Sequence, residues 1–64
     1  MKVREVIKIL EADGWYRIHS SGGHRQFKHG IKSGRVTVSG QANVDVPIKT
    51  LKSIWKQAQL TEED

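Results

Sequence analysis

The chain has 64 residues, 11 Lys+Arg against 7 Asp+Glu, a formal net charge of +4 and no cysteine. This length allows one domain with a small core, without room for a second domain or a deep cofactor cavity, and the lack of cysteine excludes disulfide bonds and thiolate metal sites. No apolar run approaches the roughly 20 residues that span a bilayer, and the N-terminus lacks the apolar segment of a signal peptide, so we expect a soluble, cytoplasmic protein.

The first predicted element is an amphipathic helix at the N-terminus. Its apolar residues recur at the spacing i, i+3, i+4, i+7 of one helical face: Val3, Val6, Ile7 and Leu10. Gly14 suits the left-handed residue that follows a helix C-terminus, so the helix should end within residues 11–13. We interpret the apolar stripe as core.

Two predicted strands follow, joined by a glycine turn. Residues 15–19 are rich in aromatic and β-branched side chains, and residues 24–29 form the returning strand. A four-residue loop at positions 20–23 predicts three cross-strand pairs: His19 with His24, Arg17 with Gln26, and Trp15 with Lys28.

A third strand and a second helix complete the predicted domain. Residues 35–39 alternate in polarity, as a half-buried strand does. Pro47 fits the first turn of the helix, and Asp45 lies close enough to cap it. This helix should run to about Gln59, with apolar residues at helical spacing: Ile48, Leu51, Ile54, Trp55 and Ala58. We therefore expect a single domain over residues 1–60, followed by an acidic tail, residues 61–64, that frays.

The predicted order of elements is helix, three strands, helix. Two apolar helix stripes and one apolar sheet face can bury one another, which predicts an α+β fold in two layers, α-β-β-β-α, with an antiparallel three-stranded sheet and both helices on one face. A double-stranded-RNA-binding domain has the same order of elements. The core face of the sheet would receive Tyr16, Ile18 and Phe27, with Arg25 at its edge. The opposite face would display a basic and polar set: Arg17, His19, His24, Gln26, Lys28, Arg35 and Thr37.

Three lysines of the second predicted helix form one stripe, because Lys49, Lys52 and Lys56 recur at i, i+3, i+7. A lysine stripe is usually a solvated face. Paired with a basic strand, it would also suit a phosphate backbone. The basic charge balance favours a polyanionic partner, with nucleic acid ahead of an anionic membrane.

His24, the first residue after the glycine turn, is the candidate catalytic residue. A histidine can take a proton from a ribose 2′-hydroxyl or give one to a leaving 5′-oxygen, and RNA supplies its own nucleophile, so this chemistry needs no metal and no cofactor. Arg25, Lys28 or Arg35 could neutralise the charge that develops on the phosphate. The three histidines show no recognisable zinc spacing, and the serines of the turn lack a nucleophile elbow. A histidine after a glycine turn is nevertheless more often a hydrogen-bonded surface residue than a catalyst.

Four separated blocks of the sequence extend this interpretation. They are Ile7-x-x-Leu10-x-x-x-Gly14-Trp15, Gly22-x-His24-x-x-Phe27-x-His29, Gly34-Arg35-Val36-Thr37-Val38, and Val46-Pro47-Ile48-x-Thr50-Leu51-x-Ser53-Ile54-x-Lys56-Gln57-Ala58. In this order, and from Val3 to Leu60, the chain resembles the HicA family of toxin mRNA interferases.

The resemblance implies a fold similar to the double-stranded-RNA-binding domain, metal-independent cleavage of mRNA, and one essential histidine, which maps onto His24. It also implies neutralisation by a HicB-like antitoxin that covers the active face. The residues that we expect to bind RNA are Arg25, Lys28, His29, Arg35, Lys49, Lys52 and Lys56, and the possible supporting residues are His19, Gly22 and Gly23. The family usually reads Gly-Ser-His, whereas Gly23 replaces the serine here. If that hydroxyl orients the histidine or a phosphate oxygen, this chain would be a slower nuclease.

We therefore predict the toxin of a type II toxin–antitoxin system, a ribonuclease with a histidine general acid or base. Two other classes stay open at this point. A non-catalytic RNA-binding module would keep its RNA affinity in a His24→Ala variant and cleave nothing. An inactive interaction domain would fail to bind RNA even at low salt, where phosphate contacts are strongest.

Overall fold

The computed structural model describes residues 1–60, so the predicted acidic tail lies outside the described residues. Its elements are α1 (Val3–Ala12), β1 (Trp15–Ser21), β2 (His24–His29), β3 (Val36–Ser39) and α2 (Ile48–Gln57). The strands form one antiparallel sheet in the order β1-β2-β3. The predicted α+β fold with an α-β-β-β-α order is confirmed. No helix within residues 1–60 combines the length and the apolar content needed to cross a membrane.

One apolar core lies between the helices and one face of the sheet. Its buried residues come from both helices, all three strands and the residues that flank α2: Val3, Val6, Leu10, Trp15, Phe27, Val36, Val38, Val46, Ile54 and Ala58. Each large aliphatic or aromatic side chain buried in this way contributes roughly 1.5–3 kcal/mol. The helices thus cover a single face, and the other face of the sheet is left to solvent.

Both ends of α1 are fixed by local interactions. At its start, the backbone N–H of Lys2 donates to the Glu5 carboxylate over 2.6 Å. Past its end, Gly14 has φ +103°, the left-handed conformation predicted for this position. A Cβ atom at Gly14 would lie 2.7 Å from Nε2 of His29, so this residue must be glycine for reasons of space as well.

The limits of α2 differ from the prediction at both ends. Pro47 is the residue before the helix, and Asp45 does not cap it, since no side chain caps this helix N-terminus. Met1 and Lys2 instead pair with residues 44–46, and this places the Asp45 carboxylate 3.9 Å from both the N-terminal amino group and Lys2 Nζ. The helix ends at residue 57, because Gln59 adopts a left-handed φ of +57°.

The predicted register of the β1–β2 hairpin is wrong. The turn consists of Gly22 and Gly23 alone, so β1 extends to residue 21 and pairs there with His24, while His19 pairs with Gln26. Two consecutive positive φ values suit a two-residue hairpin turn, whose twist matches that of the strands. A bulge between positions 17 and 19 then shifts the remaining pairs by one residue.

Because of the bulge, residues 15–18 of β1 face the opposite way from the prediction. Tyr16 and Ile18, which we expected in the core, are 50% and 39% exposed, whereas Trp15 is buried. Phe27 is buried as predicted. Arg17 pairs with Phe27 and holds its guanidinium carbon 5.8 Å from the centroid of that ring, so it does not belong to the exposed face.

Candidate functional site around His24

His24 is the first residue of β2 and directly follows the two-glycine turn. Because side chains alternate along a strand, the burial of Phe27 on the core face places His24 on the opposite face of the sheet. His24 is exposed there. The turn and the alternation of β2 together present an imidazole ring to solvent at one end of the hairpin.

Three hydrogen bonds connect this end of the hairpin to the end of β3. Oγ of Ser39 lies 3.1 Å from Nδ1 of His24. The N–H of Gly40 donates to the carbonyl of Gly23 over 3.0 Å. Nη1 of Arg25 donates to the carbonyl of Gly40 over 2.6 Å. His24 is therefore exposed, yet its backbone and its ring are both held.

Ser39 is the residue at this site that sequence reasoning missed. Its hydroxyl meets His24 because the two residues are direct partners in the β2–β3 ladder. Alternation along β3 predicts that Ser39 faces outward, but finding its partner requires the register across the irregular connection at residues 30–35. The only available signal was therefore a hydroxyl at an outward position near a strand end.

Several predicted residues share the exposed face with His24. The pairing places His19 beside Gln26, at the next outward position of β2, and Lys28 follows at the one after that. Nη1 of Arg35 donates to Oε1 of Gln26 over 3.2 Å, which brings this guanidinium onto the same face. His19 is not opposite His24, as we expected, but diagonal to it.

Arg25 lies on the other side of β2. It pairs with the buried Val38, and it is half-buried, with its head group at the Gly40 carbonyl. This agrees with the expectation of an inward position near an edge. One N–H group of its guanidinium thus holds the residue after β3, and its other N–H groups make no side-chain hydrogen bond among residues 1–60.

His29 lies in a structural cluster rather than on the exposed face. Its Nδ1 accepts hydrogen bonds from the backbone N–H groups of Ile31 and Lys32, at 3.0 and 3.1 Å. The ring proton is therefore on Nε2, which donates to the carbonyl of Asp13 over 2.6 Å. The side chain is only 10% exposed and meets Trp15 edge to face. Both ring nitrogens already have hydrogen-bond partners within the protein, so we do not retain His29 as an RNA-binding residue. Its role is to fix the end of β2.

Asp13 and Lys32 extend the same cluster to the end of α2. Nζ of Lys32 lies 2.6 Å from Oδ2 of Asp13 and 3.2 Å from the carbonyl of Ala58. The hydrogen bond from Lys32 lowers the pKa of Asp13 below its usual value. Partial burial of the carboxylate raises this pKa, and the positive charge of Lys32 lowers it further. Nε1 of Trp15 is buried without a hydrogen-bond partner among residues 1–60.

The three predicted lysines form a second basic surface, on α2. Lys49, Lys52 and Lys56 are exposed and share one side of the helix. Within residues 1–60, none of their ammonium groups takes part in an ion pair or a side-chain hydrogen bond. This lysine stripe and the face of His24 thus lie on different elements, and the structure joins them by no direct contact among the described residues.

Comparison with known protein families agrees with the resemblance found in the sequence. A family model described as the HicA toxin of bacterial toxin–antitoxin systems matches residues 3–60, a range that contains every helix and strand of the fold. No curated protein matches the sequence. The chain therefore belongs to the HicA toxin family, and it is the toxin of a toxin–antitoxin system, in which it pairs with an antitoxin.

Proposed function

We propose that this toxin is a metal-independent endoribonuclease that cleaves mRNA, with His24 as the general acid or base. One observation carries the proposal: His24 is exposed on the open face of the sheet while its Nδ1 is engaged by Ser39. Nε2 is then the nitrogen that can meet a substrate. Membership of the HicA toxin family supports the proposal, since RNA cleavage would account for toxicity in such a small protein.

The reaction uses a nucleophile that RNA carries. The ribose 2′-oxygen attacks the adjacent phosphorus and loses its proton to a base, and the bond to the 5′-oxygen breaks as an acid protonates that oxygen. The products are a 2′,3′-cyclic phosphate and a 5′-hydroxyl end. Nε2 of His24 can perform either proton transfer, because an imidazole nitrogen accepts a proton when the ring is neutral and donates one when the ring is charged.

Distances along the strand indicate which phosphate each basic side chain would contact. Lys28 lies four residues beyond His24, which is about 13 Å along a strand, so it would contact a neighbouring phosphate rather than the reacting one. Arg25 projects from the other face of β2, but its guanidinium lies at the Gly40 carbonyl beside the strand ends, so it would neutralise the charge on the reacting phosphate only by reaching around that end of the sheet. His19 is a diagonal neighbour of His24, and such residues lie roughly 7–8 Å apart, with their Cβ atoms somewhat closer, so His19 is the candidate for a second catalytic group.

Cleavage of a structured mRNA in excess EDTA, at several pH values between about 5 and 9, tests this proposal. We expect fragments with the unmodified protein and none with His24→Ala, while His19→Ala, at the candidate second catalytic group, should cleave more slowly. Ser21→Ala, at the residue that pairs with His24 from β1, is the control and should cleave like the unmodified protein. Circular dichroism of each variant checks that the fold is retained. Equal cleavage by the protein and His24→Ala would contradict the assignment of His24. RNA binding without cleavage by the unmodified protein would identify a non-catalytic RNA-binding module instead.

The antitoxin is proposed to be a HicB-like protein that covers the exposed sheet face, and the action on mRNA would place the toxin in the cytoplasm. Expression of the toxin alone should arrest growth, and co-expression of a HicB-like protein encoded beside it should restore growth. His24→Ala should be harmless and still bind that antitoxin. A His24→Ala variant that arrests growth to the same extent would contradict the nuclease proposal.

A further inference from the structure

Resting on the proposed function, the geometry points to Ser39 as the positioning residue of the site: its Oγ accepts a hydrogen bond from Nδ1–H of His24 and thereby keeps Nε2 as the reacting nitrogen. Oγ and Nδ1 are 3.1 Å apart. The two residues face each other directly across the β2–β3 ladder, so their side chains extend from the same face of the sheet.

The surrounding backbone keeps this contact in place. The N–H of Gly40, the residue after Ser39, donates to the carbonyl of Gly23, the residue before His24. Arg25, the residue after His24, donates to the carbonyl of Gly40. The residues on either side of His24 are therefore both hydrogen-bonded to Gly40, the residue after Ser39, and these two bonds hold the strand ends together beside the Ser39–His24 contact.

The protonation states of the ring explain why Oγ must be the acceptor. As a general base, His24 is neutral and offers the lone pair of Nε2, so its proton is on Nδ1. As a general acid, it is protonated on both nitrogens, so Nδ1 again carries a proton. A hydroxyl that accepts from Nδ1–H fits both states, and the proton is exchanged at Nε2 without any change at Ser39.

The turn itself offers no other side chain for this role, because positions 22 and 23 are glycines. Two serines flank His24 on the neighbouring strands: Ser21 pairs with it from β1 and Ser39 from β3. Among residues 1–60, the hydroxyl of Ser39 is within hydrogen-bonding distance of the ring and that of Ser21 makes no such bond. Ser21→Ala is therefore a matched control.

The test compares Ser39→Ala, Ser39→Thr and Ser21→Ala. We expect Ser39→Ala to lower kcat about two- to tenfold with KM unchanged, the effect of one neutral hydrogen bond. Ser39→Thr keeps the hydroxyl on a β-branched side chain that suits a strand, and should restore kcat. Ser21→Ala should leave kcat and KM unchanged. Urea denaturation of all three variants separates any loss of folded protein from the loss of kcat.

Nitrogen-15 NMR of the His24 ring gives a readout that does not depend on activity. Ser39→Ala should move the neutral ring from the form protonated on Nδ1 toward the form protonated on Nε2, and Ser21→Ala should not. Unchanged ring shifts in Ser39→Ala would overturn the inference, as would a loss of kcat equalled by Ser21→Ala. If the unmodified protein fails to cleave RNA, the proposed function is wrong. The ring shifts would still show whether Ser39 determines which ring nitrogen of His24 carries the proton.

Discussion

Gly22 and Gly23 set the turn before His24 through their backbone torsions, without any side chain of their own. Their φ values are 54° and 83°, and a Cβ atom added at either position would meet nothing within 4 Å. The cost of a substitution therefore comes from the left-handed conformation and not from a clash. Asn tolerates this conformation better than other side chains, and it favours the first position of such a turn.

From these torsions, we predict that Gly23→Ala destabilises the protein by about 1–2 kcal/mol, and that Gly22→Asn costs clearly less. Urea denaturation of the two variants measures the difference, and equal losses would contradict the assigned turn. Gly23→Ser should carry the same strain. It should also bring no gain in kcat, since Ser39 already provides the hydroxyl that contacts His24.

At the scale of elements, the sequence pattern predicted the helices and the presence of the hairpin but not the register of the hairpin. The stripe of α1 is defined by local spacing, and the structure buries its residues Val3, Val6 and Leu10. In the hairpin, a bulge at Ile18 interrupts the alternation, so a pattern of period two assigns the residues before it to the wrong face. Neither the bulge nor the two-residue turn is visible from alternation alone.

Local sequence and the family resemblance predicted His24 as the centre of the candidate site, but not its hydrogen-bond partner. The glycine turn and the family resemblance led to His24 without any knowledge of the register. Ser39 depends on the pairing of β2 with β3, and the structural role of His29 depends on Asp13, sixteen residues away along the chain. Contacts of this kind are set by the packed fold and leave no periodic pattern in the sequence.

Asp13 joins the ends of three elements through a charged contact. Asp13 directly follows α1. Its carboxylate accepts a hydrogen bond from Lys32, which also donates to a carbonyl at the end of α2. Its backbone carbonyl accepts a hydrogen bond from His29 at the end of β2. A carboxylate at a helix C-terminus is otherwise unfavourable, because it faces the negative end of the helix dipole. The ammonium group of Lys32 offsets this cost.

We predict that Asp13→Asn lowers the urea midpoint at about pH 7 and that the difference from the unmodified protein disappears in acid. The pKa of Asp13 is lowered from its usual 3.8 in the folded protein. Its stabilising contribution is therefore complete above that usual value and is lost as the pH falls through the lowered folded value. Lys32→Gln is the matched control and should show the same weakened pH dependence. A difference that stays constant down to about pH 2 would contradict this role of the charge.

For the whole molecule, the distribution of charge matters more than its sum. The formal net charge is +4, and exposed basic side chains occur on the sheet face, on the lysine stripe of α2 and on α1. A net charge attracts RNA from any direction, but only groups that contact phosphates release counterions on binding and add to the salt dependence of the affinity. Paired variants with equal charge separate these two effects.

The double variant Lys49→Gln/Lys52→Gln should reduce the salt dependence of RNA binding, whereas Arg4→Gln/Lys8→Gln should not. Each variant lowers the formal net charge by two, from +4 to +2, and each removes exposed side chains from one face of a helix. Two lost contacts to single-stranded RNA should lower the slope of log affinity against log salt by about 1.4, since each contact contributes about 0.7. Titrations of a catalytically inactive His24→Ala background with mRNA, at a series of salt concentrations, measure this slope without cleavage. If the α1 variant changes the slope as much as the α2 variant does, the lysine stripe is a solvated face that acts only through net charge. If only the α2 variant changes the slope, the RNA backbone lies along α2.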